Sequence, residues 1–477
     1  MNDPDAVYAP PQTEPQSQAQ PPLGPPPLPP SSLKHRFFTA GTFLAILIIA
    51  FFIVMALLSP YSASSDRASA ETEPTQENPE SAPKVSALAE MQSKLIVGLL
   101  EVDKDLAIDQ AKELIPLSNS PEMARATASV FVFLDRDEFA EQALKILGDS
   151  LADEPIDNLI RLAINDPDSL SPENRQLLES DLGWTGRVLI GSFDDAVRKL
   201  VLEEARKSLM ILGVFVLGAA VIVIGGLVLL ILAIVKKRKS FRFVPAAPEH
   251  GRFHFQGFAC YLLGMFGIGL GLVAFLGADM PLGFSVALMF GAMLIGLSWP
   301  LIRGIRFSVV RRDIGLHTGQ GLFRELGCGL LGYVTITPII VVGLGLTVAM
   351  QALVTFLSDG TAEPASHPAM EWLADPTWQT IAMTFLIGSV AAPIVEEIMF
   401  RGALHRGLRF RFGFLGSTLV ACFIFAAVHP QGIVAVPGLM AVAFGLTLLR
   451  EWRDSLIAPM VAHGIHNGAI LTMATLM

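Results

Sequence analysis

Between Leu209 and Val235 the chain carries no polar side chain at all. A helix of that length reaches roughly 40 Å at about 1.5 Å per residue, more than the ~30 Å hydrocarbon core of a bilayer. Backbone amides in hydrocarbon must bond within their own segment, so a run of this kind admits a helix and little else. Further candidate spans, less uniformly apolar, lie at Phe37–Leu58, 257–276, 283–302, 328–357, 378–409, 415–429, 432–449 and 456–475. Over 477 residues the chain is 52% hydrophobic with a mean hydropathy of +0.52, well outside the range of a water-soluble chain this long. The expected fold is all-α, a polytopic transmembrane helix bundle of about nine spans.

Polar composition divides the rest. Residues 1–33 are proline-rich, nearly continuously so from Pro21 to Pro30, and are expected to be disordered with polyproline II character. After the Phe37–Leu58 anchor, residues 60–85 read as a Ser/Glu/Pro-rich linker. Residues 86–205 then show helical amphipathic spacing, as in Leu95-Ile96-Leu99-Leu100 and Ala140-Ala143-Leu144-Leu147, and predict an α-helical module with no fixed repeat. Residues 61–207 hold 29 of the 44 acids and 15 of the 34 bases, so an acidic module is attached to a mildly basic remainder. Lys236-Lys237-Arg238-Lys239 follows the 209–235 span at once and marks a cytoplasmic end. Residues 60–207 are then extracytoplasmic and the N-terminus cytoplasmic, in agreement with Lys34 and Arg36 before the first span. Arg303, Arg306, Arg311 and Arg312, like Arg406, Arg409 and Arg411, mark inner loops, and the acids of 358–377 fit the outer side. A membrane body is expected over 256–477. The module is a possible seat for a protein partner. No basic patch points to nucleic acid, and Cys260, Cys328 and Cys422, all in apolar runs, read as small buried hydrophobes.

Against this apolar background a few polar residues stand out. Glu396 and Glu397 lie side by side in Ala-Pro-Ile-Val-Glu-Glu-Ile-Met-Phe-Arg (392–401). An ionised carboxyl near the bilayer centre costs about 2.5–3.5 kcal/mol, which function commonly explains. His429 closes Phe-Ile-Phe-Ala-Ala-Val-His (423–429), and His463, His466 and Asn467 fall in the final span. If two antiparallel helices turn beside Gly413, Glu396 and His429 each lie about 16 residues from the turn, roughly 24 Å, and so share a depth. His463 and Asn467, four apart, share a helix face. Arg401 stands four residues after Glu397, the favourable same-face spacing, and five after Glu396. Arg401 is therefore expected to hold Glu397 and leave Glu396 facing a cavity, where a His429 neighbour suits it as a general base for water. His466 is expected to be structural. A proton-relaying transporter and a catalytically idle, partner-binding scaffold use the same residues, although the internal symmetry common in transporters is not evident.

Together these segments resemble the CPBP family of intramembrane proteases, which includes the type II CAAX prenyl endopeptidases and the bacterial Abi proteins. The pattern stands here as Glu396-Glu397-x-x-x-Arg401, Phe425-x-x-x-His429 and His463-x-x-x-Asn467, and the resemblance covers about 328–477. It implies hydrolysis of peptide bonds in membrane-associated substrates, peptides or membrane proteins, by water activated between Glu396 and His429. His463 and Asn467 would stabilise the oxyanion, while Glu397 and Arg401 support the site. It leaves the cofactor open between none and zinc; a zinc ion would take Glu396, His429 and His463. His-Glu-x-x-His and Gly-x-Ser-Gly are both absent from the chain. The expected location is the bilayer of a prokaryotic cell membrane.

Overall fold

The computed structural model describes residues 39–58, 87–115, 121–146, 155–235, 242–276, 282–357 and 377–476. The proline-rich stretch 1–33, Lys34 and Arg36, the 60–85 linker, the Lys236–Lys239 cluster and the acidic residues of 358–376 lie outside them. Among the described residues every regular element is helical and no strand occurs.

Between Ala87 and Ile190 the helices are short: Ala87–Leu99, Lys104–Lys112, Pro121–Phe133, Asp137–Ile146, Pro155–Asn165, Pro172–Leu182 and Trp184–Ile190. Local chemistry sets several of their ends. Asp103 caps the second of them by accepting from the Asp105 and Leu106 amides, and Ser171 caps another with Pro172 at its first position. Asp135, at φ 58°, turns Pro121–Phe133 into Asp137–Ile146 through the left-handed region that aspartate tolerates. The apolar faces close on Val97, Phe131, Phe133, Leu144, Ile160, Leu178 and Val188. Inside this core Arg125 donates two hydrogen bonds to Asp157, at 2.8 and 3.0 Å, a forked pairing in which both charges are buried. The same core takes in Val201 and Ala205, which belong to the next helix, Asp195–Val235. That helix runs unbroken from a polar first part into the wholly apolar one.

Among the described residues six helices are long and apolar enough to cross a membrane: Asp195–Val235, Pro248–Leu272, Gly283–Ile302, Leu322–Leu357, Trp378–Ala427 and Ile433–Arg453. The protein is an integral membrane protein. The expectation of about nine spans exceeds this number for physical reasons. Trp378–Ala427 counts once among the six yet folds back on itself at Gly413, where φ is 65° and the helix breaks. Ala40–Met55 is shorter than the others, and in Ile457–Leu476 two histidines and an asparagine dilute the apolar character. Around the centre pack Phe258, Tyr261, Val395, Met399, Phe400 and Phe425, with Ala45 and Ile49 of the first helix against them. Gln256 clasps three helices, donating to Thr42 at 3.3 Å and accepting from the Trp299 indole at 3.0 Å.

At the arginine-rich end a layer of buried charge joins the helices. Asp313 accepts from His250 (3.1 Å) and Arg406 (3.3 Å), and His254 lies 3.4 Å away. Glu451 accepts from His405 and Arg409, at 2.9 and 2.7 Å, while Arg453 grips Glu325 at 2.6 and 2.9 Å. Burial by itself would push the Asp313 carboxyl up. The hydrogen bonds from His250 and His254 and the Arg406 guanidinium outweigh it and hold the group below its ordinary value.

Candidate active site

The stretch that carries Glu396 is not a plain α-helix. It passes from α (Trp378–Leu386) to π (Ile387–Ala391), back to α (Ala392–Glu396) and again to π (Glu397–His405). Pro393 accounts for the first widening. It has no N–H for the Ser389 carbonyl, and its ring would crowd a regular turn there. The second π segment is buried throughout, from Glu397 to His405. Glu397, Arg401 and His405 find partners within the segment or on the last two helices, Val436–Arg453 and Ile457–Leu476, which offsets the cost of placing them there.

Glu397 and Arg401 form an ion contact of 2.8 Å between Oε1 and Nη1, and both are buried. Arg401 also donates through Nη2 to the Ala443 carbonyl at 3.2 Å and lies 4.7 Å over the Phe425 ring. His463 joins the two carboxylates. Its Nδ1 hydrogen-bonds Glu397 Oε1 at 2.9 Å, and its Nε2 lies 3.7 Å from Glu396 Oε2. Across the Gly413 hairpin, His429 Nε2 faces the same Glu396 oxygen at 4.0 Å. Phe400 meets Phe425 at 5.0 Å in that hairpin, so the residue pairs close symmetrically about the turn. Glu396 keeps 19% of its side chain exposed, whereas Glu397 keeps none.

His429 lies just beyond the helix, after the Val428 cap and before Pro430, and not within a span as its sequence run implied. Its Nδ1 donates to the Phe425 carbonyl, which leaves the Nε2 lone pair turned to Glu396. The Phe425 ring is 4.3 Å from His429 and 6.1 Å from His463, so one aromatic backs both imidazoles and Arg401. Asn467 is held differently: its amide donates to the Gly388 carbonyl at 2.8 Å, in the first π segment. His466 lies against Tyr333, ring centroids 6.1 Å apart. Between the 387–396 stretch and Ile457–Leu476, a groove of about 410 Å³ is lined by Ser389, Pro393, Ile394, Met460 and Gly464; none of Glu396, His429 and His463 lines it.

A family model described as type II CAAX prenyl endopeptidase Rce1-like matches residues 377–469. The chain carries an Rce1-like domain. That domain takes in Glu396, Glu397, Arg401, Phe425, His429, His463 and Asn467, and it supports assignment to the CPBP family of proteases. The helices between Ala87 and Ile190 lie outside it. Comparisons with curated proteins and with solved structures find no match.

Zinc is the metal that the residue types of the Rce1-like domain bring to mind. Two imidazole nitrogens and a carboxylate oxygen are acceptable donors, each imidazole having its other nitrogen engaged. Among the described residues, however, no three His, Cys, Asp or Glu groups are disposed to hold a metal ion. As arranged among the described residues, the donors do not fit a metal. Sequence reasoning passed over the Ala443 and Gly388 carbonyls and the Glu451 partner of His405. Backbone acceptors leave no residue-type signal, and Glu451 is 46 residues from His405.

Proposed function

We propose that this chain is an intramembrane endopeptidase of the CPBP type, hydrolysing peptide bonds in membrane-associated peptides or proteins. One observation carries the reading: inside the Rce1-like domain, two histidine Nε2 atoms face one partly exposed carboxylate oxygen at 3.7 and 4.0 Å. Those separations exceed a direct hydrogen bond and suit groups that share a water. Glu396 and the lone pair of His429 are both acceptors, so a water between them donates both hydrogens and turns its oxygen lone pairs outward. Glu396 removes a proton as that oxygen attacks the carbonyl carbon, and the proton passes to the leaving amine when the tetrahedral intermediate collapses.

Charge balance supports the division of labour. Glu396, Glu397 and Arg401 together leave one negative charge in a buried place, and burying uncompensated charge is expensive. In this reading His463 donates from Nδ1 to Glu397 and, in its doubly protonated form, from Nε2 toward the oxyanion. Asn467 is the second oxyanion donor in this reading. Because one of its N–H groups is engaged by Gly388, only its remaining N–H serves. A donor of this kind contributes on the order of 10²–10³ in rate. The groove of Ser389, Pro393, Ile394 and Met460 offers an apolar approach for the substrate. We place the arginine-rich end in the cytoplasm and the Ala87–Ile190 helices outside it, in the bilayer of a prokaryotic cell membrane.

The test compares membranes holding wild type or Glu396→Gln and reads released peptides by mass spectrometry. Wild type is expected to yield peptides whose rate of appearance falls about 10²–10⁴-fold in the variant. Identical profiles overturn the assignment. A chelator added to both membranes reports whether the activity needs a metal.

A further inference from the structure

One polar side chain from outside the Rce1-like domain is carried to the depth of Glu396. The Pro248–Leu276 helix runs antiparallel to the Glu397–His405 segment and its continuation, and the contacts between them fix the register. Gly251 backs onto the Phe410 ring and the Gly407 carbonyl, and Phe258 meets Phe400 edge-on at 5.0 Å. Each step up one helix is thus a step back along the other. One turn beyond Phe258, Tyr261 arrives level with Glu397 and Glu396. Gly296, on the Leu282–Ile302 helix, confirms the layer, since a β-carbon there would meet both Met399 and Tyr261.

Tyr261 is 6% exposed, and its hydroxyl has no hydrogen-bond partner among the described residues; its electrostatic neighbour is Glu396. A largely buried tyrosine commonly finds a partner for its hydroxyl. Glu396 presents the complementary deficit, because both of its histidine neighbours stand beyond direct hydrogen-bond length. The groups facing this carboxylate are His429, His463, the adjacent Glu397 with its Arg401 partner, and Tyr261. Of these, the phenol is the neutral donor.

Resting on the proteolytic reading above, we propose that Tyr261 is a positioning residue of the Glu396 cavity. Its hydroxyl donates toward the Glu396 carboxylate and leaves Oε2 turned to the two histidines, ready to receive the proton of the attacking water. No covalent step involves the phenol.

Two measurements on the full-length protein in lipid test this. In the first, a synthetic peptide spanning a bond cut by wild type but not by Glu396→Gln serves as substrate. Tyr261→Phe is expected to lower kcat about 10- to 100-fold with KM unchanged, the loss of one hydrogen bond to a charged group. Tyr333→Phe, whose ring lies by His466, is expected to leave both constants as they are. An unchanged kcat, or a change confined to KM, overturns the role. The second measurement needs no turnover. Infrared difference spectra between wild type and Tyr261→Phe isolate the phenol C–O stretching band, and the same pair is recorded in the Glu396→Gln background. The band is expected to shift between backgrounds as the acceptor changes from carboxylate to amide, and a band at one position in both overturns the proposal. If no peptide is cleaved by wild type, the protease reading fails and the spectra alone decide the role of Tyr261.

Discussion

Single carboxylates in this molecule differ according to what faces them. Glu397 is buried between Arg401 and His463, whereas Glu396 keeps an open side and has no partner at hydrogen-bond length among the described residues. The first is held by structure and the second is free to do chemistry. Asp313 is a third case, outside the spanning helices, with His250, His254 and Arg406 around it. Because the folded state holds its carboxyl below the ordinary value of 3.8, its contribution is fully present above that pH and is lost as pH falls below it. Wild type in detergent is therefore expected to lose melting temperature steeply on acidification below about pH 4. Asp313→Asn leaves Arg406 without its buried partner. We expect it to be about 3–5 kcal/mol less stable at neutral pH, with a flatter pH dependence in the acid range. Melting curves across pH check both, and parallel curves for the two proteins contradict the assignment.

At the scale of elements, what was legible depended on period and spacing. The fold-back at Gly413 could be read because Glu396 and His429 are equidistant from it, and the glycine there takes the positive φ that the reversal needs. The Glu397–Arg401 contact was legible for a similar reason, as four-residue spacing keeps a common face. The π segments were not legible, since apolar periodicity cannot tell a π turn from an α turn in a helix buried on most sides. Nor was the depth of Tyr261, which depends on the register of two helices more than a hundred residues apart. Close helix contact was equally hidden. Gly343 packs where any β-carbon would strike Ala441 on the Val436–Arg453 helix, the helix whose Ala443 carbonyl receives Arg401. Gly343→Leu must part those helices and is expected to destabilise by about 1–3 kcal/mol, or more where the strain is not relieved. Gly345, with nothing among the described residues within 4 Å of a β-carbon, is the control: Gly345→Leu is expected to be silent in the same melting assay.

Across the whole molecule, charge is sorted by region. Acids concentrate in 61–207, and three of the buried arginines, Arg406, Arg450 and Arg453, gather at one end of the membrane part. We propose that the helices between Ala87 and Ile190 recruit a protein partner or substrate for the membrane part. Deleting 86–205 is expected to remove cross-linked partners and to change which peptides are released, while leaving the Rce1-like domain in the membrane. Unchanged partners and peptides after that deletion dispose of the idea. The bond between the two regions is the Asp195–Val235 helix, 41 residues without a break. At about 1.5 Å per residue it is roughly 60 Å long, twice a hydrocarbon core. A flexible tether would let the acidic helices sweep a hemisphere and fall to the lipid surface. A continuous helix fixes their position relative to the apolar part instead, so whatever they hold is presented at one distance from it.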